Sequence, residues 1–237
     1  MLSLEQLSDL DKGEYCCRSH LDLYEAVKGD RLATQAAAGR HLKILSVSPV
    51  KDFVEVYLCE DGYTAWLPID KLTELEPAQI TYQAIAFSRT KIESCLPDII
   101  AFTKAAMTVP NYYLWGGTVA PNYDCSGLMQ AAFANRGIWL PRDSYQQEAF
   151  TQKIVREELL PGDLIFFGTE KVNHVALYLG DGYYIHSSGQ EMGRNGIAID
   201  PLSEAGDEIS RSYYQKLWSF GRVTASYQPQ SGKKENN

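Results

Sequence analysis

The hydrophobic period of this chain changes twice along its 237 residues, and that limits it to few architectures. Up to about residue 80 the apolar residues sit in short, nearly alternating runs, such as His41-Leu42-Lys43-Ile44-Leu45 and Phe53-Val54-Glu55-Val56-Tyr57-Leu58. Turn signals at Lys28-Gly29-Asp30, Ala38-Gly39-Arg40 and Asp61-Gly62 separate them. Several short strands in so small a span imply a small all-β barrel. From Ile92 the spacing turns helical through Cys95, Leu96, Ile99, Ile100 and Phe102, with Pro97 weakening the start. A loop follows over 109–117. A second helix is expected to begin at Asp124 or Cys125, with Asp124 as N-cap, Leu128, Met129, Ala132 and Phe133 as its apolar face, and Gly137 as its stop. Past Pro161-Gly162-Asp163 the period returns to that of strands, expected over 164–167, 174–179, 183–186, around 196–199 and over 218–223. Helices followed by an antiparallel sheet make this part α+β. The expected organisation is a small β domain over 1–80, an α+β domain over 81–228 and a polar, disordered tail over 229–237.

Composition narrows the function classes. At 45% hydrophobic and 22% charged residues there is enough apolar material for a real core. The net charge of −8 argues against nucleic acid or an anionic membrane surface as the main partner. The first fifteen residues carry no basic segment and no apolar stretch of the kind that makes a secretory leader, so a cytoplasmic location is expected. No apolar run is long enough to cross a bilayer. Five cysteines, an odd number with Cys16 and Cys17 adjacent, make a poor disulfide framework and fit reduced thiols. Without CxxC or HxxxH spacing, neither a dedicated metal site nor another cofactor is expected.

Asp124-Cys125-Ser126-Gly127 places a cysteine where a helix should begin, and only His174 and His186 among the histidines follow it. A thiol is a weak nucleophile at neutral pH unless a helix N-terminus or an imidazole activates it. The helix dipole is expected to favour thiolate at Cys125, and its free N–H to face an oxyanion. The two histidines lie on one hairpin. A two-residue loop sends them to opposite faces; the three-residue loop Gly180-Asp181-Gly182 puts them on one face as diagonal neighbours, within reach of each other. His174 is then the base and His186 its orienting partner. Two other readings stand beside this one: a cysteine on a helix is often a buried small hydrophobe, and a Cys-His-His set also suits zinc.

Five segments in order resemble the NlpC/P60 cysteine peptidases: Tyr113-Leu114-Trp115-Gly116-Gly117, Asp124-Cys125-Ser126-Gly127, residues 161–167, residues 174–180 and Ile185-His186. The resemblance covers roughly residues 90–224. It implies a papain-like α+β catalytic domain that hydrolyses peptidoglycan stem peptides between γ-D-glutamate and a diamino acid, meso-diaminopimelate being expected here. Cys125 matches the nucleophile, His174 the base, His186 the third member and Tyr113 an oxyanion donor. Residues 1–80 are similar to bacterial SH3-like domains, through strand rhythm and Asp61-Gly62-Tyr63-Thr64-Ala65-Trp66-Leu67. Members with this layout and no leader resemble recyclers of murein peptides that require a free N-terminal L-Ala. The expected partner is therefore a small murein peptide. Arg142 resembles a contact to the D-glutamate carboxylate. Asp124 and Asp143 are candidates for a substrate ammonium, Ser126 for a substrate carboxylate, Trp115 for a cleft wall and Tyr63 for closing the cleft from the first domain. A catalytically inactive peptide-binding module, a zinc hydrolase and a different acyl transfer on the same triad are the rival readings.

Overall fold

The computed structural model describes residues 13–229, with Pro49 and Lys51 excepted. The leader reading over the first twelve residues and most of the expected tail lie outside the described residues. The described chain falls into two compact units, which divide at Ala84/Ile85 and again after Tyr227.

The first unit is built from β1 (Glu14–Cys17), β2 (Leu21–Tyr24), β3 (Leu32–Ala36), β4 (His41–Val47), β5 (Phe53–Leu58), β6 (Thr64–Pro68) and β7 (Leu75–Pro77). They form one seven-stranded sheet in the order β3-β2-β6-β5-β4-β1-β7. Strand alternation sets its inside: Val54, Val56 and Leu58 of β5 are wholly buried beside Leu23, Leu42 and Leu67.

The second unit begins with helix α1 (Arg89–Thr108), capped by the Ser88 side chain, which accepts from the Lys91 N–H. Pro97 is tolerated inside it because it sits on the exposed face, where water can serve the orphaned carbonyl. After the short pair β8 (Thr118–Val119) and β9 (Asn122–Tyr123) comes α2 (Cys125–Ala134), then α3 (Ser144–Phe150) and β10 (Gln152–Ile154). Strands β11 (Leu164–Gly168), β12 (Val172–Gly180), β13 (Tyr183–Ser188) and β14 (Gly196–Pro201), helix α4 (Glu208–Gln215) and β15 (Leu217–Arg222) complete it. The six-stranded sheet runs β10-β15-β11-β12-β13-β14.

Both faces of this sheet are covered, which explains the unbroken apolar run in β11. Leu164 and Phe166 point to the core shared with Ile92 and Ile99 of α1 and with Leu128 and Phe133 of α2. Ile165 and Phe167 point to the opposite core, with Tyr184, Leu202 and Tyr213 of α4. Helices α3 and α4 and strand β10 were not legible in the sequence; the other main elements of this unit lie close to where the periodicity places them.

The hairpin departs from expectation in an instructive way. Its loop is the two-residue Asp181-Gly182, with positive φ of 52° and 78°. A shift in register between Tyr178 and Gly180 adds a residue on β12, so Leu177 pairs with Ile185. The bulge at Leu179 thus does what a three-residue loop was expected to do: His174 and His186 share a face. Beyond Leu177 and Ile185 the ladder stops, and β12 and β13 separate.

The start of α2 occupies that gap, and it packs without slack on the preceding loop. A Cβ at Gly127 would lie 1.9 Å from the Gly117 carbonyl oxygen. Gly127→Ala is therefore expected to cost about 3 kcal/mol, a fall of roughly 6–12 °C in melting temperature for a protein of this size. A calorimetric melt within 2 °C or so of wild type would contradict the close approach.

Candidate active site

Cys125 is the first residue of α2, and Asp124 caps the helix by accepting from the Gly127 N–H at 2.6 Å. The same carboxylate accepts from the Gly116 N–H (2.9 Å), and Gly116 carries a φ of 79° in the loop before the helix. From across the splayed strands the Val175 N–H donates to the Cys125 sulfur, as does the Ser126 N–H. The Ser187 hydroxyl ties β13 to the Tyr123 carbonyl (2.6 Å), so the segment leading into the helix is held between β12 and β13.

The two histidines meet on the other side of the sheet. His174 Nε2 lies 2.7 Å from His186 Nδ1, and the rings cross nearly at right angles. His186 Nε2 lies 2.8 Å from Asp200 of β14. Register explains the line: Tyr184 pairs with Asp200 and His186 with Ala198, so His186 and Asp200 share a face as diagonal neighbours. Tyr213 of α4 stacks on His174 at 4.6 Å between ring centroids.

Charges follow burial. Burial, reinforced by the Asp124 carboxylate, pushes the Cys125 thiol up to about 12 despite the N–H donors and Arg142. The expected thiolate at the helix start is thus corrected for the resting site: burial outweighs the helix terminus. Burial also holds His174 well below the usual imidazole range, with His186 and Lys216 adding to the effect. Burial lowers His186 too, against the pull of Asp200. Burial would raise Asp200, but hydrogen bonds from His186 and Arg194 prevail and hold it at about 2. At neutral pH the resting site therefore holds a protonated thiol and a neutral imidazole. Both nitrogens of His186 are engaged, which leaves it no lone pair for a metal while these bonds hold. Among the described residues no group of three His, Cys, Asp or Glu side chains is arranged to hold a metal ion.

Three of the residues expected at the substrate, Asp124, Ser126 and Arg142, are joined to one another. Arg142 is only 2% exposed and reaches Asp124 with both terminal nitrogens, Nη1 to Oδ1 at 3.2 Å and Nη2 to Oδ2 at 2.5 Å. Its Nη1 also donates to the Ser126 hydroxyl at 2.9 Å. A guanidinium so far from water needs a carboxylate, and Asp124 supplies it. This buried network includes both chain neighbours of Cys125, Asp124 and Ser126. Tyr113 is half-buried, and burial, with the Asp124 carboxylate and Cys125 nearby, pushes its phenol upward, so it remains a proton donor. Asp143 is half-buried at the N-cap of α3, and Trp115 is 53% exposed. Tyr63 belongs to the first unit, where it packs against the barrel core.

The sequence reading missed Asp200, Arg194, Ser210 and Tyr213. The available signal was Asp200 itself, a carboxylate closing the otherwise apolar run Ile197-Ala198-Ile199.

Residues 110–221 match the NlpC/P60 family, and residues 23–72 match the bacterial dipeptidyl-peptidase Sh3 domain. The chain carries an NlpC/P60 domain. This is a family of peptidoglycan peptidases of the cysteine type. A γ-D-glutamyl-L-lysine dipeptidyl-peptidase of Bacillus cereus is 39% identical over 113 residues, 46% of this chain and 32% of that protein. A bifunctional muramidase/DL-endopeptidase of Bacillus subtilis is 37% identical over 116 residues, 47% of this chain and 32% of that protein. The chain thus spans about a third of the length of these curated relatives. Among solved structures, an NlpC/P60 family protein from Bacillus cereus is similar over 93% of this chain and 66% of its own, at 25% identity and a TM-score of 0.49. No helix among the described residues is long and apolar enough to cross a membrane.

Proposed function

We propose that this protein is a cysteine peptidase that hydrolyses the amide between γ-D-glutamate and a diamino acid in short murein peptides with a free N-terminal L-Ala. The observation that carries the reading is a cysteine at the start of a capped helix, its sulfur accepting from the Val175 N–H next in the chain to His174, whose Nε2 is already committed to His186. His174 Nδ1 is then the atom left to act as base. It takes the Cys125 proton as the sulfur attacks the γ-glutamyl carbonyl carbon. The Cys125 N–H and the Tyr113 hydroxyl donate to the oxyanion. Collapse breaks the C–N bond, and His174 returns its proton to the leaving amine. Water, losing a proton to His174, then cleaves the thioester and restores the thiol.

The substrate class draws its support from the relatives. A dipeptidyl-peptidase, as the Bacillus cereus relative is named, releases two residues from a free amino end, and the first unit matches a domain described from such enzymes. Half-buried Asp143 offers a carboxylate to a substrate ammonium, and exposed Trp115 an apolar wall. Murein peptides of this size are recycled inside cells, so a cytoplasmic role belongs to the same proposal. Rates on L-Ala-γ-D-Glu-meso-diaminopimelate, its L-Lys counterpart, the N-acetylated tripeptide and intact sacculi test it. The free tripeptides are expected to be cleaved at least 100-fold faster than the acetylated one. Equal rates on the acetylated peptide or on sacculi would contradict the free-amine requirement.

Because burial holds His174 below the ordinary imidazole range, it keeps its lone pair as the pH falls through 6.5. The acid limb of kcat/KM is expected below that value; a limb centred above pH 7 would contradict a buried, neutral base.

A further inference from the structure

We propose that Asp200 is the terminal member of the line Cys125–His174–His186: a positioning residue that fixes the tautomers of both imidazoles and thereby presents the His174 Nδ1 lone pair to the thiol. The inference rests on the functional reading above for the roles of Cys125 and His174, and extends it to residues outside the triad.

The argument is one of proton counting along the hydrogen bonds. A carboxylate only accepts, so His186 Nε2, 2.8 Å away, must carry a proton. A neutral His186 then has a bare Nδ1. That nitrogen accepts from His174 Nε2 at 2.7 Å, which places the His174 proton there and leaves its Nδ1 bare. One buried charge two rings away thus decides that His174 Nδ1, the ring nitrogen outside this line of bonds, carries no proton.

Asp200 is itself held with unusual completeness. It is 1% exposed. Arg194 donates to both of its oxygens, and the Ser210 hydroxyl donates to Oδ1 at 2.9 Å. Helix α4 organises this side with one stripe at three-residue spacing. Its N-cap Asp207 pairs with Arg194 at 2.9 Å, Ser210 meets Asp200, and Tyr213 stacks on His174 while its hydroxyl bonds Ser188 at 3.0 Å. The carboxylate is thus held by Arg194 and by Ser210 of α4, and aimed at the His186 imidazole. The other charged or titratable groups near the pair are Tyr184 on β13, Lys216 after α4, and Cys125, Asp124 and Tyr113 on the nucleophile side.

Asp200→Asn is the test, read without substrate through the rate of Cys125 alkylation by iodoacetamide against pH. Loss of the carboxylate charge disfavours imidazolium at both histidines, so the acid limb of alkylation is expected to move to lower pH. An amide also accepts either ring tautomer, so kcat on the tripeptide is expected to fall on the order of 10²-fold with KM within about threefold. Asp200→Glu is expected to recover part of the loss. An unmoved acid limb with kcat within threefold of wild type would overturn the proposal. Should the Asn variant fail to fold, the wild type decides: ¹⁵N imidazole NMR, assigned by single His→Gln replacements, is expected to show Nε2–H on both His174 and His186 at neutral pH. A proton on His174 Nδ1 would overturn it. Alkylation and NMR need no peptide, so a wrong substrate leaves this test intact.

Discussion

Cys125→Ala is expected to lower kcat for the proposed peptide hydrolysis by 10⁴-fold or more, because an alanine cannot form the thioester and members of a catalytic set act as a unit. The fold is expected to survive. Cys125 is a small buried side chain at a capped helix start, and the cap belongs to Asp124, not to the sulfur. Peptide binding should therefore persist, and the variant is expected to bind the tripeptide with wild-type affinity by calorimetry. His174 and Asp200 keep their bonds without the thiol. Turnover by Cys125→Ala at a tenth of the wild-type rate would remove the thiol from the chemistry and return the cysteine to the status of a buried hydrophobe.

Arg142→Met carries the second large effect, on stability first. The guanidinium is buried, and it donates to both oxygens of Asp124 and to Ser126. Methionine fills much of the same volume but leaves a carboxylate that is 6% exposed without its cation. Removing one partner of such a pair costs about 3–5 kcal/mol, since the remaining charge has no water to turn to. Activity should fall as well, because Arg142 is among the groups that ease ionisation of Cys125. The double variant Asp124→Asn/Arg142→Met is expected to regain part of the stability in urea unfolding. A loss below 1 kcal/mol for the single variant would mean that the pair opens to solvent, and that Arg142 is free for a substrate carboxylate after all.

Cys125, His174 and His186 stood out in the sequence because each is a rare, chemistry-bearing residue in a local pattern: a cap followed by cysteine and, two residues on, glycine, and a glycine-flanked hairpin. The strands and α2 were legible for the ordinary reason that buried faces leave a period. What stayed hidden was decided by contacts distant in sequence. The bulge at Leu179 cannot be seen in Tyr178-Leu179-Gly180, yet it sets the facing of both histidines. That Asp124 and Arg142 form a buried pair is equally invisible, because 18 residues separate them in the chain. Helix α4 was missed because it is short and its buried residues are only Ser210 and Tyr213: the serine serves Asp200, and the tyrosine packs on His174 within the core of Phe167 and Leu202. Helix α3 is two turns long, too short for a period to declare itself.

The most direct measurement is mass spectrometry of L-Ala-γ-D-Glu-meso-diaminopimelate incubated with wild type and with Cys125→Ala, each with and without EDTA. The expected result is release of L-Ala-D-Glu and free diaminopimelate by wild type alone, at the same rate in EDTA. Cleavage that EDTA abolishes, or that Cys125→Ala retains, would contradict the thiol mechanism at the centre of this account.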